Sequence, residues 1–586
     1  MPPRLRPRSK SFGESTRAPA LLPTLLGKKR PPSPSVSPAK QTDASPATRA
    51  RKRRAPPSHS ATETPRPRSP AQTDFTLDTK RKRGRPPKSR DGTPTTPARA
   101  LKLPLNILPR PAWHVRPSRH LFIFGNGEMG QFGLGITELG SIPAPTLHSW
   151  FEGAIQSGIL GDEGAGLEKV VAGGMHTLAI DEEGRVWSWG INDNASLGRP
   201  TIDVPDPINP QHAIDPEILE TQPMVIDSLI EEEFRAVAVA AGASVSVALG
   251  LRGELRVWGS FRSSDGLLGF DGKPGSSKTQ FVPLSLPALE GNKFVSVACG
   301  TDHIIALTTT GHVYAWGNGQ QAQLGRRIIE RRKVNGLAPE RLALRNIVAV
   351  GSGSYHSFAV DKKGVVYAWG LNSCRQTGVR ESRGGAEAIV ANPTIVDALH
   401  PDNLGKGRVV TAISGGEHHS LFLLNDGSVW GCGRSDGFEL GLNDDHPAMK
   451  KIIDARDPNV DAAKRPDEYV PEPVPIPFPP APPTDTNVDM DTDDPPLPPY
   501  DSSVGSTSPS NPMAQISAGM RHNLAVSRSG QVYGWGYAPK CQLGLGEGVD
   551  SSHTPRRLKS AVLEGWKVEY AGAGEQHCVL MATKSA

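Results

Sequence analysis

Short segments in which apolar and polar residues alternate recur from residue 119 to the end of the chain. Each full copy begins with a glycine, carries mostly β-branched or aromatic residues at alternate positions and ends in Trp-Gly or a close variant. A period of two between turn residues predicts a half-buried β-strand. One partial and six full copies give seven strands of one kind: Phe122–Gly125, Gly184–Gly190, Gly253–Gly259, Gly311–Gly317, Gly364–Gly370, Gly427–Gly433 and Gly530–Gly536.

A second motif, Gly-x-x-His before an apolar run, precedes each full copy. Its last copy, Gly574–His577, has no Trp-Gly strand after it, whereas the partial strand at Phe122–Gly125 has no motif before it. One repeat is thus split between the two chain ends, as expected when a ring closes by pairing them. The sequence predicts an all-β fold, a seven-bladed β-propeller over residues 119–586 closed by its N- and C-terminal strands. The other copies are Gly173–His176, Gly242–Val245, Gly300–His303, Gly353–His356, Gly416–His419 and Gly519–His522.

The histidine of this motif recurs in six of the seven copies, so its role is one that the blades share. We interpret it as a structural hydrogen-bonding residue. A ring of metal-binding or catalytic histidines is the alternative, but no local carboxylate cluster accompanies it. The residue before the histidine varies, and equivalent positions lie at similar heights on one face of a propeller. These residues are therefore predicted to line a binding surface: Met175, Ser244, Asp302, Tyr355, His418, Arg521 and Gln576.

Composition separates an N-terminal arm, residues 1–118, from the repeats. It is rich in Pro, Ser, Thr, Arg and Lys, and residues 1–110 hold 26 Lys and Arg against six Asp and Glu. With few large apolar residues it cannot offset its ordering entropy, so we predict a disordered basic arm. Three basic clusters indicate nuclear import signals or phosphate binding, with a solvated tail as the alternative. They contain Lys28, Lys29, Arg30; Arg51, Lys52, Arg53, Arg54; and Lys80, Arg81, Lys82.

The third cluster continues as Arg83, Gly84, Arg85 and Pro86, which resembles the core of an AT-hook. Glycine lets such a segment lie flat in a narrow A·T minor groove, where the negative potential attracts the flanking arginines. We therefore predict that these four residues bind DNA, with an inert tail as the alternative.

A second unusual segment, residues 471–512, interrupts the repeats. Successive Trp-Gly glycines lie 53 to 69 residues apart, but 103 residues separate Gly433 from Gly536. The segment holds 14 prolines, seven acidic residues and no Lys or Arg, so we predict a disordered surface insertion.

Other sequence features exclude several classes of protein. The five cysteines form no CxxC pair, which argues against a disulfide framework and a zinc site and favours a reducing compartment. No apolar run is long enough to cross a membrane, so no membrane partner is expected. No GxxxxGKS loop is present, so we expect the chain to need no nucleotide or other cofactor of its own.

The repeats as a set, which combine Ala-Gly-Gly-Met-His at residues 172–176, GxVYxWG strands and Gln-Leu-Gly loops, resemble the regulator of chromosome condensation family. The resemblance covers residues 119–586. It implies a guanine-nucleotide exchange factor that promotes GDP release from the small GTPase Ran, with no covalent chemistry, catalytic residue or metal of its own. Together with the basic clusters and the AT-hook-like segment of the arm, it implies a nuclear, chromatin-associated protein whose partners are nucleosomes, through core histones and DNA, and nuclear import receptors. A chromatin-binding or histone-binding scaffold without exchange activity is the alternative.

The same resemblance assigns roles to individual residues. The loop at residues 259–269 departs from its siblings where the family carries a small β-wedge that enters Ran, and ordinary loop variation is the alternative. Residues 326–345 resemble the family's switchback loop, which is associated with histones, and a solvated charged loop is the alternative. The exchange residues implied are Phe261, Arg262, Ser263, Ser264, Asp265 and Gly266 in the wedge, with Phe261, Arg262, Asp265 and Gly266 at its tip, and Glu128, Asp302, Arg326 and His418 elsewhere. The histone-binding candidates are Arg327, Arg331 and Arg332.

Overall fold

The structure is a computed structural model that describes residues 104–405, 407–457, 459–460, 467–481 and 509–585. It contains seven four-stranded antiparallel sheets and one separate two-stranded sheet. The first strand of each four-stranded sheet contacts the first strand of the next, and the seventh contact returns to the start. The predicted seven-bladed β-propeller is therefore confirmed, with these seven strands around the axis.

Each blade is described from its inner to its outer strand, and blades are numbered by the order of their Trp-Gly strands. The first blade is Trp566–Ala573, His577–Lys584, His120–Asn126 and Ser141–Leu147. The second is Leu167–Ala172, His176–Asp181, Val186–Gly190 and Met224–Val225. The third is Ala236–Ala241, Val245–Gly250, Leu255–Gly259 and Gln280–Leu284. The fourth is Phe294–Cys299, His303–Thr308, Val313–Gly317 and Glu340–Arg341.

The remaining blades follow the same order. The fifth is Ile347–Ser352, His356–Asp361, Val366–Leu371 and Ile389–Ile395. The sixth is Val410–Gly415, His419–Leu424, Val429–Arg434 and Tyr469–Ile476. The seventh is Met513–Ala518, His522–Ser527, Val532–Tyr537 and Ser551–Arg557. Short helices connect strands at Ser149–Gln156, Pro216–Glu220, Asp227–Glu231, Pro401–Leu404 and Pro447–Asp454, with 3-10 turns at Pro287–Leu289, Glu330–Leu337, Glu381–Arg383, Asp397–Leu399 and Ala561–Leu563.

The ring closes within the first blade. His120–Asn126, near the N-terminus, pairs antiparallel with His577–Lys584, with Phe122 opposite Leu580. Phe122 and Leu580 are fully buried in one apolar cluster, so closure is held by side-chain packing as well as by backbone hydrogen bonds. The predicted pairing of the terminal strands is confirmed.

The Trp-Gly strand explains much of the packing between blades. Its tryptophan is fully buried in five blades, and in four of them the indole N–H donates to a backbone carbonyl in the loop of the preceding blade. The glycine has a positive φ and approaches the preceding motif closely: a Cβ on Gly317 would lie 2.5 Å from the Asp302 carbonyl oxygen. The close approach therefore requires the glycine, and the tryptophan fills the seam in five of the seven blades.

Two predicted boundaries are wrong. The arm was expected to extend to residue 118, but residues 104–118 pack against the propeller: Asn106 Nδ2 donates to the carbonyls of Thr308 and Ile347, and Arg116 binds Glu182 through two hydrogen bonds. The insertion was expected to begin at residue 471, but residues 471–476 belong to the outer strand of the sixth blade. An outer strand has a free edge, where prolines that lack an N–H are tolerated.

Within the described residues, no helix is both long and apolar enough to span a membrane.

Candidate functional site

The Gly-x-x-His turns line the opening of the central channel on one side of the ring, which we call the upper face. The glycine makes room for the histidine: a Cβ on Gly300 would lie 2.2 Å from His303 Cε1, and one on Gly416 would lie 2.1 Å from His419 Cε1. This steric requirement explains the spacing of the motif.

Each motif histidine uses its Nε2 to bond to a side chain of the next blade. The acceptor or donor is the residue that follows the motif there, and the distances are 2.7 to 2.8 Å for the oxygen partners and 3.3 Å for the sulfur. The pairs are His577–Thr177, His176–Ser246, His303–Ser357, His356–Ser420, His419–Asn523 and His522–Cys578.

These histidines are fully buried, and burial lowers their pKa values, to about 3 for His303 and about 4 for His419. They are therefore neutral at physiological pH, and their Nε2 atoms are used within the fold. The described residues contain no group of three or more His, Cys, Asp or Glu placed to hold a metal ion. The geometry gives these histidines a structural role.

The seam between the third and fourth blades lacks this bond. Val245 replaces the histidine, and Ile304 occupies the partner position, so an apolar pair replaces a polar one; both are fully buried. The indole N–H of Trp316 at the same seam has no hydrogen-bond partner among the described residues. In four sibling seams the loop of the preceding blade supplies a carbonyl to this indole, and here that loop, residues 259–269, departs from its siblings. The motif histidine, its partner and the loop therefore all differ at this one seam.

That loop forms the separate two-stranded sheet, Phe261–Ser263 paired with Gly266–Gly269, which we call the wedge. It leaves the third blade at the upper face, beside the Gly-x-x-His turn of the fourth. The prediction that Phe261 lies at the tip is wrong. Its side chain is fully buried with Leu268 and Phe270 in an apolar cluster that the third and fourth blades share. The exposed tip consists of Arg262, Ser264 and Asp265.

Asp302 holds the wedge at Arg262, the residue that follows the buried Phe261. Asp302 lies just before His303 and is 8% exposed, and its Oδ1 accepts a hydrogen bond from the backbone N–H of Arg262 at 2.8 Å. Burial raises the pKa of this carboxyl to about 6, although the Arg262 N–H opposes the shift. The variable position of the motif thus contributes a wedge contact in the fourth blade.

Further acidic groups lie around the channel opening. Burial and the nearby carboxylates of Asp302 and Glu417 raise the pKa of Glu575 to about 7. Burial and the carboxylates of Glu417, Asp302 and Glu575 raise the pKa of Tyr355. These neighbours occupy equivalent turns in the first, fourth, fifth and sixth blades. The opening therefore carries negative charge that increases as the pH rises through about 7. Sequence reasoning did not identify Glu417 or Glu575, because each lies one residue before the variable position.

His418 lies on the same face in the sixth blade. Its Nδ1 is 3.3 Å from Gln376 Nε2 and its Nε2 is 3.7 Å from Glu417 Oε1. Burial lowers its pKa, and Glu417 opposes the shift. Glu128, from the first blade, is half exposed, with its carboxylate 3.6 Å from Lys540 Nζ. The structure brings Asp302 and His418 to the upper face, as predicted.

Arg326 is more buried than a contact residue of a charged loop would be. Its guanidinium donates to the Ala338 carbonyl at 3.0 Å and lies 3.4 Å from Glu340 Oε1, so it ties the two ends of the loop together. The histone-binding candidates Arg327, Arg331 and Arg332 are exposed on this loop. Arg326 is thus used within the loop, whereas the three histone-binding candidates face solvent.

The remaining site predictions lie outside the described residues. They are the DNA-binding candidates Arg83, Gly84, Arg85 and Pro86 and the three import clusters within residues 28–30, 51–54 and 80–82.

Comparison with known proteins adds to this geometry. A family model described as an RCC1-like domain matches residues 120–580. Protein pim1 of Schizosaccharomyces pombe is 35% identical over 467 residues, 80% of this chain and 75% of that protein. Guanine nucleotide exchange factor SRM1 of Saccharomyces cerevisiae is 33% identical over 472 residues, 78% of this chain and 86% of that protein. The crystal structure of Prp20p from Saccharomyces cerevisiae, a protein with binding properties to Gsp1p and histones, matches with a TM-score of 0.63 at 31% identity, over 83% of this chain and 94% of that one.

Proposed function

The chain belongs to the RCC1-like domain family, and from that premise we propose that it is a guanine-nucleotide exchange factor for the small GTPase Ran. The observation that carries the proposal is the wedge, a separate two-stranded hairpin at the place where four sibling loops supply a backbone carbonyl to the tryptophan of the next blade. The name of the SRM1 relative and the binding of Prp20p to Gsp1p support the same assignment.

Exchange by this surface requires no bond making. A factor that binds the nucleotide-free GTPase more tightly than the loaded form must weaken nucleotide binding by the same factor, because the two equilibria are linked. We propose that the wedge tip, Arg262 to Asp265, displaces parts of the GTPase that contact the nucleotide. Asp302 keeps the wedge in position, and the acidic channel opening attracts basic groups of the GTPase. Excess GTP in the cell then sets the direction of exchange.

Nuclear and chromatin-bound localisation forms a second part of the proposal. Arg327, Arg331 and Arg332 present positive charge that suits an acidic histone surface, and Prp20p binds histones. In this proposal the arm contains the residues that bind import receptors and DNA. Changing Arg83 and Arg85 to alanine should reduce the slope of log affinity for DNA against log salt, by about 0.9 for each phosphate that the arm no longer neutralises. An unchanged slope would remove this role from the arm.

The test of exchange is release of labelled GDP from Ran. The wild-type protein should accelerate release, and a variant with Arg262, Ser264 and Asp265 changed to alanine should lose most of that activity with an unchanged melting temperature. Because Phe261 is retained, the wedge keeps its buried base. The matched control changes Arg252, Lys362 and Lys363, three exposed residues in hairpin turns on the opposite face, and should exchange at the wild-type rate.

The scaffold alternative makes the opposite prediction. A histone-binding propeller without exchange activity binds nucleosomes but leaves GDP release from Ran at its spontaneous rate. Nucleosome binding that survives the wedge substitutions, together with lost exchange, supports two separate surfaces. A wild-type protein that binds nucleosomes without releasing GDP would overturn the exchange proposal.

A further inference from the structure

The wedge is a sheet of only two strands, and it pairs with no strand of a blade. An isolated two-stranded hairpin is marginally stable in water. Its orientation relative to the upper face must therefore come from contacts with neighbouring segments. Those contacts occur at two levels, one at the base and one at the tip.

The base is held by apolar packing. Phe261, Leu268 and Phe270 share one buried cluster with Leu337, which ends the 3-10 segment Glu330–Leu337. Leu337 is 1% exposed, and its Cδ1 would lie 3.3 Å from a Cβ placed on Gly269. The loop after the fourth Trp-Gly strand thus packs directly against the wedge.

The tip is held by polar contacts to the same loop. Gln320 Oε1 accepts from the backbone N–H of Ser264 at 3.0 Å, and Gln320 Nε2 donates to Ser264 Oγ at 2.9 Å and to Glu330 Oε1 at 3.0 Å. The Lys333 ammonium binds the Asp265 carboxylate and lies 3.6 Å from Glu330 Oε1. Glu330 therefore orients both groups that contact the tip.

We propose that Gln320 and Lys333 are positioning residues that hold the wedge tip in the orientation that exchange needs. The proposal rests on the proposed function. An exposed ion pair alone contributes little, because water and salt screen it. Here the ion pair fixes Asp265 while Gln320 fixes the adjacent Ser264, so two neighbouring tip residues are tied to one loop. Removing both ties frees the tip without touching its own side chains.

The first test needs no GTPase. Amide hydrogen exchange across residues 262–268 is measured at single-residue resolution on the full chain, leaving out Ser264, whose N–H Gln320 binds directly. Gln320→Ala should raise exchange at the other wedge amides about 5-fold and Gln320→Ala with Lys333→Met about 10-fold or more. Lys333→Arg, which keeps the positive charge, should show the wild-type pattern. Lys362→Met, which removes an exposed charge in the fifth blade, should also leave the pattern unchanged. Unchanged wedge exchange in the double variant would overturn the proposal.

The second test measures GDP release from Ran by the same variants. Loss of tip order should lower kcat several-fold with a smaller change in KM, because the docking surface is retained while the wedge enters less often. Lys333→Arg should keep the wild-type kcat. Faster amide exchange with an unchanged kcat would overturn the positioning role. A wild-type protein that releases no GDP would overturn the proposed function instead, while the hydrogen-exchange result would still decide whether the two residues hold the wedge.

Discussion

Asp302 and His303 are adjacent, and we predict that substituting them separates exchange from stability. Asp302 contacts the wedge, whereas His303 bonds Ser357 in the next blade at 2.8 Å. Asp302→Ala removes the acceptor of the Arg262 N–H, and Asp302→Asn retains an oxygen at the same position. His303→Ala removes a buried bond between blades. Asp302→Ala therefore removes the wedge contact, Asp302→Asn removes only the charge, and His303→Ala removes only the bond between blades.

The magnitudes follow from the contacts. A hydrogen bond to a charged group is worth about 1.5 to 3 kcal/mol, so Asp302→Ala should lower kcat/KM about 10- to 150-fold if exchange needs the wedge in place. His303→Ala should cost about 1 to 3 kcal/mol of folding stability, because a fully buried partner is removed, and should leave exchange per folded molecule unchanged.

Asp302→Asn adds a prediction about pH. Burial raises the pKa of Asp302 to about 6 in the folded state, so the carboxyl favours the fold at low pH and this contribution is lost as the pH rises through 6. At pH 8 the buried charge costs at most about 3 kcal/mol, and the neutral asparagine avoids that cost. The variant should therefore be more stable than wild type at pH 8, with a difference that disappears near pH 4.

Urea denaturation gives the stabilities, and release of labelled GDP from Ran gives the rates. Asp302→Asn should retain most of the exchange that Asp302→Ala loses, since it still accepts the Arg262 N–H. Equal losses in the two variants would show that exchange needs the carboxylate charge, and would refute the wedge-holding role. Equal loss of stability in Asp302→Ala and His303→Ala would refute the separation itself.

Three further predictions concern the fold. Deleting residues 574–586 should unfold the propeller because it removes the terminal pairing. Deleting residues 482–508 should leave the melting temperature unchanged, because the deletion spares the outer strand of the sixth blade and the hydrogen bond from the Asn511 side chain to the Pro479 carbonyl at 2.9 Å; the reverse pair of results would refute the blade assignment. A chain that begins at residue 119 should melt at a lower temperature than one that begins at residue 104, because it lacks Asn106 and Arg116 with their hydrogen bonds to the propeller. Equal melting temperatures would contradict this. Glu575→Gln should stabilise the protein at pH 8 more than at pH 5.5 in thermal unfolding, since the raised pKa of Glu575 makes the wild-type fold lose stability as the pH rises through about 7; a pH-independent difference would refute it.

The sequence by itself determined the blade count and the closure of the ring. Each repeat encodes its own turn glycine, its alternation and the buried residue before the last glycine, a tryptophan in five blades, and a blade packs mainly against its neighbours. Local patterns therefore add up to the whole architecture. The role of the histidine was also predictable, because a residue present in six blades must serve a contact that blades share.

Composition did not predict the order of a segment correctly where contacts with distant parts of the chain decide whether that segment is ordered. Pro471, Pro473 and Pro475 read as disordered, yet they lie in the outer strand beside Trp430, at an edge that does not need every N–H. Residues 104–118 read as part of the arm, but Asn106 finds two backbone carbonyls of the propeller. Both segments gain their order from partners that are distant in sequence.

The wedge shows the same division between sequence and tertiary structure. Its departure from the sibling loops is visible in the sequence, but the burial of Phe261 and the contacts of Asp302, Gln320 and Lys333 are not. These residues come from the third blade, the fourth-blade turn and the loop that follows it. Only packing of the two blades brings their side chains within hydrogen-bonding distance, because local alternation specifies which face a residue takes and not which distant residue it meets.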